Sequence, residues 1–543
     1  MKHKVLLPIL LAVTAVLGIL AGYTLQLLSS KPYSGSQRSA EPNYTTGTKG
    51  FSKLNEVLSY VNYYYVDPVD ESGITEAILP KLLSQLDPHT VYIPQEDVEV
   101  TNSELEGSFS GIGVQFNIQN DTVMIVDVIA GGPSEKVGLQ PGDRIVEVAD
   151  SNFTGKGINN NKVLKTLRGE KGSQVKIGIK RLGSNELLHY TITRGDIPVN
   201  SVDIAYPITP EVGYIKVSRF GANTYTEFLT ALNDLQRKGC QGYIIDLRTN
   251  SGGYLSAAIN MLNEFLPKNQ LIVYTEGRNY NRDEARATGG GRFTHVPVVV
   301  LLNEWSASAS EIFAGAIQDQ DRGWIVGRRS YGKGLVQQQM PLSDGSEIRI
   351  TIARYHTPSG RCIQKSYEQG DLDDYESDIE TRYERGEFFH QDSIQLNDSL
   401  KYTTRTGRTV YGGGGIMPDF FVPQDTTGSN AWYRAVTNRS LVYDYAFQYA
   451  DRHRKALAAT GSYPRMVTQL DSTTLLEDFR NYASDKGFKA SDAQFEECRS
   501  LLRQNLYAYL LRNIFGDEGF YPFLNEHDAT IDKALEVIKT PMP

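Results

Sequence analysis

Short apolar runs alternate with amphipathic stretches from Gly213 to Gln318, and this rhythm constrains the fold more than any other feature of the sequence. Gly213–Val217, Tyr243–Leu247, Leu271–Tyr274 and Pro297–Leu302 read as strands, and Thr224–Arg237, Leu255–Leu266 and Ser308–Gln318 as helices. In the first of these helices Phe228, Leu229, Leu232 and Leu235 share one face. Helices of this length between strands are crossovers that cover a sheet, so the region predicts an α/β core around a largely buried sheet. The flanks follow other periods. Phe51–Leu86 reads as helical, with Leu54, Val57, Leu58 and Val61 at helical spacing. Between Gly111 and Arg194 the period is two (Val114 with Phe116, Val175 with Ile177 and Ile179, Leu188 with Tyr190 and Ile192), as in a small β-rich module. Beyond Pro423 the pattern is helical again, with Phe495, Cys498, Leu502, Leu506 and Tyr509 as a core stripe. Asp371–Asp398, acidic and poor in apolar residues, predicts a solvated excursion.

Composition narrows the chemistry. A chain of 543 residues has room for about three or four domains. With 55 Lys and Arg against 64 Asp and Glu the net charge is −9, which speaks against a nucleic-acid partner, because duplex affinity rests on clustered cations. The three cysteines (Cys240, Cys362, Cys498) form no CxxC pair and the eight histidines no HExxH, so no disulfide framework, metal site or cofactor is expected. At the amino end Val5–Ser30 carries no charged side chain behind two lysines. As a helix, Val5–Leu28 would span about 36 Å, enough to cross a hydrocarbon core of about 30 Å. A single-pass membrane anchor with its lysines on the cytoplasmic side is expected, and a cleaved secretory signal is the competing reading. The stretch that follows, rich in Ser, Gly, Thr and Pro, reads as a tether.

Three segments carry residues suited to chemistry. Asn303-Glu-Trp-Ser-Ala-Ser-Ala-Ser-Glu311 follows a strand and opens a helix, where unpaired N–H groups can bind an anion; a nucleophilic serine there would find an oxyanion site ready-made. Ser308 to Glu311 equally fits a capping box, in which the serine only closes the helix end. No G-x-S-x-G elbow occurs, so the α/β-hydrolase route is unsupported. Lys333 stands between Gly332 and Gly334 without the complete phosphate-binding pattern G-x-x-x-x-G-K-[ST]. It is either a surface lysine in a turn or, taken with Ser308, a general base. A base lysine must be neutral, and lowering its pKa from ~10.4 to ~7 by burial amounts to roughly 4–5 kcal/mol. Asp246-Leu-Arg-Thr-Asn-Ser-Gly252-Gly253 ends another strand, and its paired glycines either supply a second oxyanion donor or make a tight turn.

Taken in order, the segments resemble the carboxy-terminal processing peptidases, or tail-specific proteases, of the serine–lysine type. The motifs are Leu86-Asp-Pro-His-Thr90, Gly111-Ile-Gly-Val114, Gly138-Leu-Gln-Pro-Gly-Asp143, Asp246-Leu-Arg through Gly253, Ser306-Ala-Ser-Ala-Ser-Glu311, Gly332-Lys-Gly334 with Val336-Gln337, and Gly415-Ile-Met-Pro-Asp419. The resemblance implies an α/β fold: a crotonase-like protease core (196–424), an inserted PDZ domain (104–195) and helical N- and C-terminal regions (51–103 and 425–543). These lie behind the anchor or signal (1–30) and the tether (31–50). It implies Ser308 as nucleophile, Lys333 as base and Gln337 as the residue that orients the lysine. The oxyanion hole would be Ala309 N–H with the N–H of Gly252 or Gly253, and Glu311 and Asp319 would be structural support. Asn250-Ser251-Gly252 departs from the Asn-Pro-Gly or Asn-Gly-Gly of many relatives, which touches only the geometry of that turn.

In the PDZ module Gly111, Ile112 and Gly113 would hold a terminal carboxylate on backbone N–H groups, beside an apolar pocket lined by Val114 and Phe116. Alternatively, the two glycines simply start a strand. The implied activity is endoproteolysis of extracytoplasmic proteins selected by free apolar C-termini, without a cofactor. The enzyme would sit at the cell inner membrane with its catalytic part in the periplasm or outside, or free in the periplasm after signal cleavage. The C-terminal helices would pack on the core, form a homo-oligomer or hold an adaptor. Two rivals keep the same fold. One is a catalytically silent PDZ scaffold, against which the intact Ser308 and Lys333 weigh; the other is an acyl-thioester enzyme, against which the PDZ module and outward location weigh.

Overall fold

All five residues of the strand Val298–Leu302 are apolar and buried, as a strand covered on both faces requires. In the computed structural model it lies inside a six-stranded sheet ordered Val202–Pro207, Val212–Val217, Gly242–Asp246, Val298–Leu302, Trp324–Gly327 and Phe420–Phe421. Every neighbouring pair is parallel except the first. Helices Thr224–Arg237, Leu255–Asn263 and Ala309–Asp319 supply Phe228, Leu232, Met261, Leu262 and Phe313 to the core on one face. On the other face Ile531, Ala534 and Val537 of the helix Ala529–Val537 meet Tyr214, Ile244, Val299 and Leu301. The crossover arrangement expected from the sequence is therefore present, and the end of the C-terminal region completes the core.

A second, antiparallel sheet runs Val91–Ile93, Glu347–His356, Leu271–Gly277, Tyr280–Arg286, and Leu335–Pro341 also pairs with Glu347–His356. The β-rich module is a sheet ordered Val114–Gln119, Thr122–Val128, Arg144–Val148, Gln174–Lys180 and Leu188–Thr193, which leaves Val114–Gln119 at an edge. A two-stranded ribbon, Ser108–Gly111 with Gly195–Pro198, closes the module at its entry and exit. The C-terminal helices bury Phe495, Cys498, Leu502 and Leu506 in their own core, and Tyr509 packs partly buried against it.

The structure describes residues 49–542 apart from Asn120, Ala130, Leu182 and Asn185. The expected apolar span and nearly all of the tether lie outside the described residues, among which no helix is long and apolar enough to cross a membrane. The helix Lys49–Tyr64 belongs to a separate unit ending at Ile78 and exposes Val57, Tyr60, Tyr63 and Tyr64.

The acidic excursion departs from expectation in part. It buries Tyr375, Arg382 and Phe388. Arg382 donates to the carbonyls of Arg329 and Ser330 at 2.8 and 3.1 Å and pairs with Glu387 at 2.8 Å. Most of the acidic side chains, such as Asp373, Asp374 and Glu384, are exposed as expected, but this one pair faces main-chain carbonyls in the interior, which charge counting along the sequence does not reveal.

Helix Ala309–Asp319 ends in a carboxylate that meets Arg361 at 2.8 Å, with both side chains fully buried. Removing one partner strands the other charge, so Asp319→Ala should lose about 3–5 kcal/mol of stability. Urea unfolding of the variant against wild type checks this, and a loss within the scatter of surface substitutions would contradict it.

Candidate active site

The strand Val298–Leu302 ends in a turn that sorts its three serines by environment. Ser306 is fully buried, donating to the Leu247 carbonyl at 2.8 Å and accepting from Asn303 N–H at 3.0 Å. Ser310 is fully buried as well and donates to the Asn250 carbonyl at 2.9 Å. Ser308 instead lines a cleft of about 860 Å³, together with Gly252, Gly253, Lys333, Gln337 and Arg349. Its backbone is held at φ 53°, ψ −113°, a region that costs a non-glycine residue of order 1–3 kcal/mol. Ser308 and Glu311 stand as a capping box, in which the Glu311 carboxylate accepts Ser308 N–H at 2.8 Å.

The same carboxylate holds the lysine segment. Glu311 Oε2 accepts Lys333 N–H at 2.9 Å, and Oε1 accepts Gly332 N–H at 2.7 Å and the Ser330 hydroxyl at 2.6 Å. From the opposite side the buried Tyr355 hydroxyl lies against the Ser308 carbonyl at 3.1 Å and hydrogen-bonds the Lys333 carbonyl. Lys333 makes no ion pair among the described residues, and its Nζ donates to Gln337 Oε1 at 3.0 Å. Burial pushes the Lys333 ammonium below its ordinary value and Arg349 adds to that, while Glu311 and Asp87 pull the other way.

Gln337 Nε2 donates to the carbonyl of His89, within the Leu86–Thr90 motif. Burial, reinforced by the charge of Lys333, brings the His89 imidazole down to about 3, so it is neutral. Sequence reasoning quoted this motif without giving it a place; the structure puts it behind the lysine. Tyr355, Asn250 and Asn303 are also new. Asn250 bridges Val217 O and Gly252 N–H at 2.9 and 2.8 Å, and Asn303 Oδ1 accepts Thr249 N–H at 2.8 Å.

Those contacts correct one expectation. Gly252 N–H is already given to Asn250 Oδ1, so it is not an available oxyanion donor. The N–H groups of Gly253 and Ala309 have no partner among the described residues. Gly252 serves the site by its bareness: its φ is +106°, and a Cβ there would stand 2.7 Å from Ser308 Cβ.

In the β-rich module Gly111 is paired with Gly195 in the entry ribbon, and the Ile112 side chain is buried in the module core. Gly111 is thus a ribbon residue rather than part of a loop. The carbonyls of Ile112 and Gly113 accept from Ser134 and Ile129, whereas their N–H groups have no partner among the described residues. Val114 and Phe116, on the adjoining edge strand, are half-buried.

Residues 211–377 match Peptidase family S41, residues 110–192 match the PDZ domain, and residues 432–516 match a family of unknown function. The carboxy-terminal processing protease CtpB of Bacillus subtilis is 34% identical over 354 residues, 64% of this chain and 72% of that protein. CtpA of the same organism is 32% identical over 67% of this chain and 76% of its own length. A carboxyl-terminal-processing protease of Synechocystis is 36% identical over 58% of this chain and 75% of its own.

Burial pushes the Glu311 carboxyl up to about 7 from the 4.5 of a free side chain, even though its four donors favour the ionised form. A carboxyl raised in this way favours the folded state fully below about pH 4.5, and that contribution is lost as pH rises through about 7. Relative to Glu311→Gln, which does not titrate, wild type should therefore lose about 3 kcal/mol of unfolding free energy across that window. Isothermal urea unfolding at pH 4.5, 6 and 8 measures it, and a constant difference between the two proteins would contradict the raised value.

Proposed function

We propose that this chain, which belongs to the carboxy-terminal processing proteases of peptidase family S41 and is a serine-type peptidase, cleaves peptide bonds with Ser308 as nucleophile and Lys333 as general base. The observation that carries the reading is the shared anchor: one Glu311 oxygen holds the backbone N–H of both residues, and the lysine beside it is half-buried without a counter-ion among the described residues. Neutral Lys333 takes the proton from Ser308 Oγ, which attacks the peptide carbonyl. The oxyanion that forms is met by the N–H groups of Ala309 and Gly253. Lys333 then gives its proton to the departing amine, leaving an ester on Ser308. A water molecule, deprotonated by Lys333, hydrolyses that ester. Gln337 accepts one N–H of the lysine and so fixes the direction of its lone pair.

The substrates in this reading are extracytoplasmic proteins with free apolar C-termini. The tail adds as a strand to the free edge Val114–Gln119, with its carboxylate on the N–H groups of Ile112 and Gly113 and its last side chain against Val114 and Phe116. The amino-terminal apolar run holds the enzyme at the inner membrane with this part outside the cytoplasm.

Ser308→Ala should abolish cleavage of an unfolded protein with an apolar tail, while Ser306→Ala and Ser310→Ala keep far more activity. Lys333→Arg should be as inactive as Lys333→Ala, because arginine stays protonated at any workable pH. An active arginine variant would make Lys333 an electrostatic residue and sink the base assignment.

Amidating the substrate C-terminus removes a charge-assisted hydrogen-bond set of about 1.5–3 kcal/mol and should weaken recognition roughly 10- to 150-fold. Competition binding of free and amidated peptides measures this. Equal affinity would place tail selection elsewhere.

A further inference from the structure

We infer that the Asp87–Thr90 loop is a positioning device for the catalytic lysine, acting through the Gln337 amide; the inference rests on Lys333 being the base. A glutamine amide has one accepting and one donating end, and either could face the lysine. Here Oε1 accepts from Lys333 Nζ at 3.0 Å, while Nε2 donates to the His89 carbonyl, 248 residues away in the chain. A main-chain carbonyl can only accept, so it admits only the donating end of the amide and leaves Oε1 for the lysine. The turned-over amide would set Nε2 against the N–H donors of Lys333 and its oxygen against the His89 oxygen, losing both bonds.

The loop that offers this carbonyl is fixed by Asp87, which is 5% exposed and makes no ion pair among the described residues. Asp87 Oδ1 accepts His89 N–H at 2.8 Å, Thr90 N–H at 3.0 Å and the Thr351 hydroxyl at 3.0 Å. Oδ2 accepts the Thr90 hydroxyl at 2.5 Å. The other side of the loop is set by the His89 ring, whose Nε2 lies 2.7 Å from the Tyr375 hydroxyl. Asp87 does not line the cleft and makes no hydrogen bond or ion pair with Lys333, which it reaches only as a charge. It fixes where the His89 carbonyl points, and the carbonyl fixes the amide.

The test is a double-mutant cycle between Asp87→Ala and Gln337→Ala, read as kcat and KM on a peptide substrate, with Ser308→Ala and Lys333→Ala as references. Asp87→Ala alone should lower kcat about 10- to 100-fold with KM within about twofold, the scale of loss that misplacing a reacting group produces. In the Gln337→Ala background the same change should cost less than about threefold more, because the route it acts through is already gone. Losses that multiply in full, or a loss confined to KM, would overturn the inference. Should Asp87→Ala fail to fold in thermal unfolding, Thr351→Val, which removes one donor to Asp87, goes through the same cycle with an expected loss of about two- to fivefold that vanishes beside Gln337→Ala. The two readings fail separately. Wild-type activity in Lys333→Ala removes the base assignment, whereas an inactive Lys333→Ala with multiplying losses removes only the role of the loop.

Discussion

The serine and the lysine that face the cleft are both tied to one buried carboxylate. The two oxygens of Glu311 take four donors: Ser308 N–H and Lys333 N–H on one, Gly332 N–H and the Ser330 hydroxyl on the other. A carboxylate is an acceptor at every lone pair, so four donors converge on it without conflict, whereas an amide of the same shape would set its own N–H against two of them. Burying such a group without a cation is costly unless its hydrogen bonds are complete, and here they are. The same saturation explains the lysine. Had Glu311 paired with the Lys333 ammonium, it would have raised that group's pKa; with its lone pairs given to backbone N–H groups, burial and Arg349 decide the direction instead.

A non-glycine residue at φ 53° persists only where its surroundings over-determine it. Ser308 is held by its N–H on Glu311, by its carbonyl beside Tyr355, and by neighbours that are themselves anchored: Ser306 to Leu247 and Ser310 to Asn250. The glycine turn completes the enclosure from the other side. Asn250 takes the N–H of Gly252 and its carbonyl accepts Ala307 N–H at 3.0 Å, so the two walls of the cleft are locked to each other before any substrate enters. The N–H groups of Gly253 and Ala309 are left over from this arrangement, which is why they, and not Gly252, are the oxyanion donors of the proposed mechanism.

The central sheet was legible in the sequence because both of its faces are buried, and a strand such as Val298–Leu302 has no reason to carry a polar residue. The crossover helices were legible for the complementary reason, a single buried stripe; Thr224–Arg237 has the bounds its periodicity predicts. Of the second sheet only Leu271–Tyr274 was read as a strand, and it was counted with the central sheet. Tyr280–Arg286 and Leu335–Pro341 carry charged or glutamine side chains on half-exposed faces, so no apolar alternation stands out, whereas Glu347–His356 does alternate, with Ile348, Ile350 and Ile352 between polar residues, and went unread. Ser308, at its helix start, and Lys333, between two glycines, were candidates on physical grounds with an ordinary alternative beside each, and the resemblance chose between them; Gln337 came from the resemblance alone. Contacts made across more than two hundred residues, such as Gln337 with His89, leave no local pattern at all. Within the acidic excursion one buried pair escaped notice for a related reason: Arg382 and Glu387 balance each other and two carbonyls in the interior, and composition cannot tell that from a solvated pair.

The β-rich module is fixed to the rest of the chain at several places, two of which differ in character. The ribbon Ser108–Gly111 with Gly195–Pro198 carries both of its covalent connections. On another side Arg144 meets Asp451 of the helix Leu441–Ala458 at 3.1 Å, and Gln119 reaches Asp444 of the same helix at 3.5 Å. The fit is close: a Cβ on Gly142 would stand 2.5 Å from Asp451 Oδ1. This second attachment sits at the far end of the edge strand, since Ile118 and Gln119 border a cleft of about 570 Å³ whose other wall includes Leu441 and Asp444. A strand of six residues offers about 20 Å of edge. On the tail-capture reading, a peptide with its carboxylate at Gly113 would run the length of that edge and reach the C-terminal helices where it leads back to the body of its protein.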